Sequence, residues 1–186
     1  VIAVEDSLIT TLEHISKWDE VTKNIGSIYG VDRIISFANI PLILKDTTNS
    51  QFIVKRWFSE NTKTQADLDD AFLQYTKQPF YKGLINTDDN HVSTMLITLD
   101  DAIIRSASRD KLIFTIKDLV DGYADEFKIE AHYSGLPYIR TVDSIKVKEE
   151  ISLFIIFTLL ITSLILFLFL EHHQFFNLYQ QFTFLI

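Results

Sequence analysis

From Ile151 to Leu170 the chain reads "ISLFIIFTLLITSLILFLFL", 20 residues without a charge. At about 1.5 Å per residue, a helix of that length covers about 30 Å, the hydrocarbon thickness of a bilayer. Helical backbone closes its own hydrogen bonds, so lipid meets only the hydroxyls of Ser152, Thr158, Thr162 and Ser163, which can bond back to the helix or to a neighbour. The segment reads as a transmembrane helix, with the lipid bilayer as its first partner. Burial inside a soluble protein would require the preceding residues to wrap it on every side. A secretory signal is excluded by position, because the span follows a long polar region.

That region, residues 1–150, holds all 17 Lys and Arg against 24 of the 25 acidic residues, a balance of −7 before histidine is counted. Nucleic acid and anionic lipid both demand clustered basic side chains, and the local cluster here is only Lys55-Arg56, so nucleic acid is not an expected partner. There is no cysteine. Neither a disulfide framework nor a thiolate metal site can form, and the core alone must hold the domain. About 150 residues suffice for that. The chain opens on Val1 and directly on a strand pattern, which reads as a piece of something longer.

The apolar pattern alternates between strand and helix. "VIAV" at Val1 to Val4 suits a buried strand, ended by Glu5-Asp6-Ser7. Thr10 and Glu13 have capping-box spacing, and Leu8, Leu12, Ile15, Trp18, Val21, Ile25 and Ile28 then recur every three or four residues as the apolar face of a helix. Gly30 can end it in the left-handed conformation, and "VDRIISFANI" reads as a second strand closed by Pro41. Further on, "NTDDN" reads as a turn and "HVSTMLITL" as a strand. Ser106 or Ser108 can cap a helix carrying Ile113, Ile116, Leu119, Val120, Tyr123 and Phe127, and "KIEAHYSG" returns as a strand. Two such strand-helix-strand units predict an α+β, ferredoxin-like split βαβ domain. Residues 42–86 read as an excursion inserted into it, with a strand "QFIVKRW" and a helix that starts at Thr64, buries Leu68, Phe72 and Tyr75, and stops near Pro79. The expected organisation is one soluble domain over 1–150, a span over 151–170, and a tail over 171–186 that does not continue as a further membrane helix and reads as truncated or non-native.

The polar residues give little sign of chemistry. Asp88, Asp89 and His91 in "TDDNH" could in principle gather a cation, but turn residues point in different directions and a metal site needs convergent ligands. Asp67, Asp69 and Asp70 sit where a helix dipole favours negative charge. His14 and His132 stand in a helix and a strand without an assignable partner. His172-His173 would lie at the membrane interface, where a proton relay or an ion contact is conceivable. No nucleophile elbow, phosphate loop or zinc-binding helix is present, so no cofactor, no metal and no catalytic residue is expected, and enzyme is the weakest class.

"PFYKGLI" at Pro79 to Ile85, the "STMLITL" strand, and above all "YSGLPYIRT" running into "IKVKEEISLFIIFTLLITSLILFLFL" resemble the first large extracytoplasmic loop and second transmembrane helix of RND superfamily exporters, in the MMPL-like branch. The resemblance covers nearly all of residues 1–170 and is most specific in the last third. It implies a porter-type domain projecting from the cell (inner) membrane, with residues 1–150 extracytoplasmic or periplasmic. It also implies partnership with the remaining helices of a transporter, a possible homo-oligomer, and proton-driven efflux of a hydrophobic or lipid-like substrate, powered by residues outside this chain. Gly135 and Pro137 become hinge candidates: Gly135 releases the chain from the last strand and Pro137 fixes the turn toward the span. The tail carries no Lys or Arg, so charge alone would place the Lys146 and Lys148 end in the cytoplasm, although large domains cross membranes regardless of charge. A single-pass sensor or receptor and a membrane-anchored interaction module remain open, the latter with Phe52, Trp57 and Phe58 as docking candidates.

Overall fold

The computed structural model describes the backbone of residues 1–46, 51–59, 61–81, 83–87, 89 and 91–183, and the side chains of these except 45, 46, 79 and 170–183. The chain divides into two compact units, Val1–Thr141 and Val142–Ile186.

In the first unit, β1 (Ile2–Glu5), β2 (Val31–Ser36), β5 (Val92–Leu99) and β6 (Glu130–Tyr133) form one sheet in the order β2-β5-β1-β6, every neighbouring pair antiparallel. Helix α1 (Leu12–Gly26) connects β1 to β2, and α4 (Ser108–Phe127) connects β5 to β6 after the short α3 (Asp101–Ile104). Alternation along β1 buries Ile2 and Val4 on the face that meets the helices and turns Glu5 outward. Trp18 of α1 and Tyr123 of α4 close that core with ring centroids 4.9 Å apart. The result is a mixed α/β domain on an antiparallel sheet.

The excursion between β2 and β5 holds β3 (Pro41–Asp46), β4 (Gln51–Arg56) and α2 (Gln65–Thr76). β3 and β4 pair antiparallel as a separate two-stranded ribbon. Phe37, Trp57, Phe72 and Tyr75 pack their rings below it, and the Trp57 indole N–H donates to the Phe37 carbonyl. The chain rejoins the main sheet by a bridge between Asn86 and Ser93.

Four local expectations change. The strand read through "VDRIISFANI" stops at Ser36; Phe37–Asn39 form a 3-10 turn boxed by Ser36 and Asn39, and Pro41 opens β3 rather than closing β2. The Thr10–Glu13 box does not form. Thr11 is the N-cap of α1, and the Leu12 amide donates instead to Gln65 Oε1 of α2 at 2.9 Å, while Gln65 Nε2 donates to the Thr10 carbonyl at 3.1 Å. The Gln65 carboxamide, from α2, thus satisfies a helix end whose own sequence carries capping-box spacing. Gly30 is left-handed, with φ +99°, but serves the turn into β2; α1 itself closes at Ser27. The N-cap of α4 is Ala107 rather than either serine, although the Ser106 side chain still serves the helix start, its Oγ accepting from the Ser108 amide, the first of α4, at 3.1 Å. By contrast, the Thr64 box on α2 is made, with Asp67 as its acidic member, and the Thr64 hydroxyl holds the Asp67 carboxyl below its ordinary pKa.

Helix α5 runs from Leu136 to Thr183, so it begins 15 residues before the charge-free run and its backbone continues into the 171–186 tail. Its segment Leu136–Phe169 is long and apolar enough to cross a membrane. The Thr158 and Thr162 hydroxyls donate to the carbonyls of Phe154 and Thr158, each at 2.8 Å, so both are satisfied within the helix. The side chains of His172 and His173 lie outside the described residues.

Candidate functional site

The first unit contains an apolar pocket of about 350 Å³ where the ends of β1, β5 and β6 meet α4 and the first turn of α5. Ile2, Ile97, Leu99, Ile113 and Ile116 supply apolar wall, and Tyr133, Gly135, Pro137 and Tyr138 form one side. Both hinge candidates therefore line it.

Local chemistry explains that side. Ser134 extends the β6 ladder by one residue through its amide to the Val1 carbonyl at 2.9 Å. Gly135 then turns the chain with φ +115°, a conformation that side-chain-bearing residues seldom adopt, and its carbonyl accepts the first α5 bond from Ile139 at 3.0 Å. Pro137 falls in the first helical turn, where its missing N–H costs no hydrogen bond. Thr141, fully buried, fastens that turn to α4: it accepts from Arg109 Nε at 3.1 Å and donates to Asp110 Oδ1 at 3.2 Å.

The polar end of the pocket is a small network. Lys117 pairs with Asp121 one turn on, the Tyr133 phenol donates to the other oxygen of Asp121, and the Lys117 ammonium stands 5.0 Å from the centre of the Tyr133 ring. Tyr138 stacks on Tyr133 with centroids 5.3 Å apart. The hydrogen bond to Asp121 raises the Lys117 pKa, and burial, aided by that same carboxylate, raises the Tyr133 phenol. At neutral pH the site thus offers an ammonium, a neutral phenol and aromatic faces at the rim of an apolar hollow, the usual make-up of a small-ligand pocket. Reading the sequence alone missed Lys117, Asp121, Tyr133 and Tyr138. The signals were the i, i+4 spacing of Lys117 and Asp121 and the two tyrosines that flank Gly135 and Pro137.

Other candidates are placed differently. His14 has a partner after all: its Nδ1 lies 2.8 Å from Asp6 Oδ2, and Tyr123 Oη donates to the same oxygen at 2.5 Å, while the Leu8 amide donates to Oδ1 at 2.9 Å. Asp6 is only 1% exposed, so this network joins β1, α1 and α4 from within. Burial first, and then Asp6, raises the Tyr123 phenol pKa. His132 likewise has a partner, with Nε2 2.9 Å from Glu5 Oε1 and 3.9 Å from Glu130 Oε2 on the exposed face of the sheet. Ligand atoms of these three residues lie within 4.8 Å of one another, close enough to hold a metal ion. In "TDDNH", Asp88 lies outside the described residues. Asp89 accepts from the Thr87 hydroxyl at 2.6 Å and the His91 amide at 3.2 Å, as a turn aspartate does, and the Thr87 bond lowers its pKa. Trp57 and Phe58 are buried, whereas Phe52 is exposed.

Comparison with protein-family models, curated proteins and solved structures finds no match to this chain.

Proposed function

We propose that this chain is an extracytoplasmic porter domain with one membrane helix, from an RND-type exporter of the MMPL-like branch, and that the pocket beside Gly135 and Pro137 receives a hydrophobic or lipid-like substrate. The observation that carries the reading is the shared position of pocket and hinge candidates: the residues that turn β6 into the long apolar helix also wall an apolar cavity with a polar rim. The strand order β2-β5-β1-β6, with one helix connecting β1 to β2 and another β5 to β6, supports a ferredoxin-like, split βαβ domain of the porter type. On this reading residues 1–150 lie on the extracytoplasmic side of the cell membrane, and the energy-coupling residues belong to other helices of the transporter. The role of this domain is binding and transmission, not catalysis.

Gly135 and Pro137 act as the hinge that couples ligand in the pocket to movement of α5. Gly135→Ala would force a Cβ into a left-handed backbone, although space exists for it, since the nearest atom would be the Val1 nitrogen at 3.6 Å. In an intact transporter, Gly135→Ala with Pro137→Ala should abolish export while leaving the protein in the membrane; unchanged export sinks the hinge. The exporter reading itself is tested by translating the gene beyond both ends of this chain. An apolar helix just upstream and several further spans downstream are expected, and a chain bounded by its own start and stop with no such spans would overturn it.

A second reading, a membrane-anchored interaction module, draws on the exposed β4 ribbon.

A further inference from the structure

The two outer edges of the β3–β4 ribbon are treated differently. Trp57 donates to the Ile40 carbonyl at 3.3 Å, which fixes the alternation: Leu42 with Lys55 and Leu44 with Ile53 exchange the ladder bonds. The main-chain groups of Pro41 and Ile43 on β3, and of Phe52, Val54 and Arg56 on β4, therefore point outward. On β3 they are taken. Gln78 Nε2 donates to the Ile43 carbonyl at 3.0 Å and Gln78 Oε1 accepts from the Ile43 amide at 3.5 Å, the Tyr81 hydroxyl donates to the Pro41 carbonyl at 3.0 Å, and proline has no N–H to offer. On β4, among the described residues, the outward groups of Phe52 and Val54 have no hydrogen-bond partner, and those side chains are 73% and 65% exposed. An apolar strand with an open edge is a template for another strand, and proteins normally blunt such edges as β3 is blunted here.

We propose that the β4 edge pairs with β4 of a second copy of this chain, antiparallel about a two-fold axis at Val54. Phe52 and Arg56 lie two residues to either side of Val54, so the strand is complementary to a second copy of itself, and the charges select the direction. β4 carries both its cations, Lys55 and Arg56, at one end. Parallel pairing in register would set them against each other, whereas antiparallel pairing about Val54 places each Arg56 opposite the partner's Phe52, where guanidinium and ring attract, and each Lys55 opposite an isoleucine. The interface is isologous and closes after two copies. Six strand residues bury less than the ~1,200 Å² at which stable interfaces begin. The pair therefore forms between chains that α5 confines to one bilayer, where effective concentration replaces area.

The absence of native cysteine makes the test direct. Val54→Cys in the 186-residue chain, reconstituted in phosphatidylcholine vesicles and oxidised with copper phenanthroline, should give a disulfide dimer, because directly opposed residues of hydrogen-bonded antiparallel strands stand ~5.5 Å apart at Cα, within disulfide range. The control is Tyr29→Cys, at a residue 86% exposed and far from β4 in sequence. The expected dimer yield for Val54→Cys is about tenfold above that control. Adding Phe52→Pro, which removes an outward N–H but no bond of the β3–β4 ladder, should return it to the control level with the circular dichroism spectrum unchanged. Equal yields for the two single cysteines, a dimer indifferent to Phe52→Pro, or cross-linking in cell membranes only to a different protein would each overturn the proposal.

Discussion

The main sheet and the β3–β4 ribbon are built from the same kinds of residue and end in opposite situations. Ile2, Val4 and Met95 in the main sheet are buried under α1 and α4, while Ile43, Phe52 and Val54 in the ribbon face solvent. Strand propensity is therefore not what separates them; what separates them is whether two amphipathic helices arrive to cover the apolar face. The ribbon meets the core on one face, through Leu42, which is buried, and Leu44, which is partly buried. A strand can be fully formed and still leave its apolar surface for use elsewhere.

The sharpest way to break this comparison is to truncate one large apolar side chain in each region. Trp18→Ala, in the fully buried layer between the helices, should cost about 3–5 kcal/mol of unfolding free energy, whereas Phe52→Ala should stay within about 0.5 kcal/mol. Urea denaturation followed by circular dichroism in detergent would read both, and comparable losses would mean that the ribbon belongs to the cooperative core. Next in size is Asp6→Ala. It strands the Tyr123 hydroxyl and the His14 ring inside the main unit, with an expected loss of about 3 kcal/mol by the same measurement.

The excursion also stabilises the main unit directly, and Gln65→Ala sharpens that point. Removing the side chain that caps α1 from α2 should cost about 1 kcal/mol and speed hydrogen exchange at the Leu12 amide. A variant indistinguishable from the parent would show that solvent caps the helix equally well.

The two regions also differ in how their buried phenols are satisfied. Tyr123 donates to Asp6, but the Tyr75 hydroxyl under the ribbon has no partner among the described residues, and burial pushes its pKa up to about 12. Because the folded state holds this proton more tightly than the unfolded state does, the associated stability is fully present below about pH 10 and declines toward pH 12, by about 1 kcal/mol per pH unit. Tyr75→Phe should flatten that part of the alkaline decline and leave neutral-pH stability unchanged or slightly improved. A decline of undiminished slope would assign it wholly to the other buried tyrosines. The smallest effect is at the exposed face of the main sheet. Glu5 and Glu130 stand directly opposite in register, so Glu130→Lys should stabilise by about 0.5 kcal/mol at low salt, a gain that 0.5 M salt should largely erase.

Much of this architecture was legible in the residues. β1, β5, β6, α1 and α4 follow from apolar spacing, because each buries one face and the burial leaves a periodic trace. The Thr64–Asp67 box was readable because both partners lie within one helical turn. β3 was missed because "PLILKD" pairs only with β4 and is covered on one side, so Pro41 read as a terminator when it in fact opens a strand at an edge where its absent N–H is harmless. The α1 cap failed for the opposite reason: Thr10 and Glu13 were adequate in isolation, and a glutamine more than 50 residues away took the position.

By itself, then, the sequence determined the alternation of strand and helix, the charge-free span and the glycine–proline turn that leads into it, because periodicity, length and backbone stereochemistry are local properties. Only the tertiary structure decided that Asp6 would hold His14 and Tyr123, that Lys117 and Tyr133 would meet at the rim of a pocket walled by Gly135 and Pro137, and that one ribbon edge would be closed and the other open. Those outcomes depend on which distant groups arrive within hydrogen-bonding distance, and sequence spacing carries no record of such encounters.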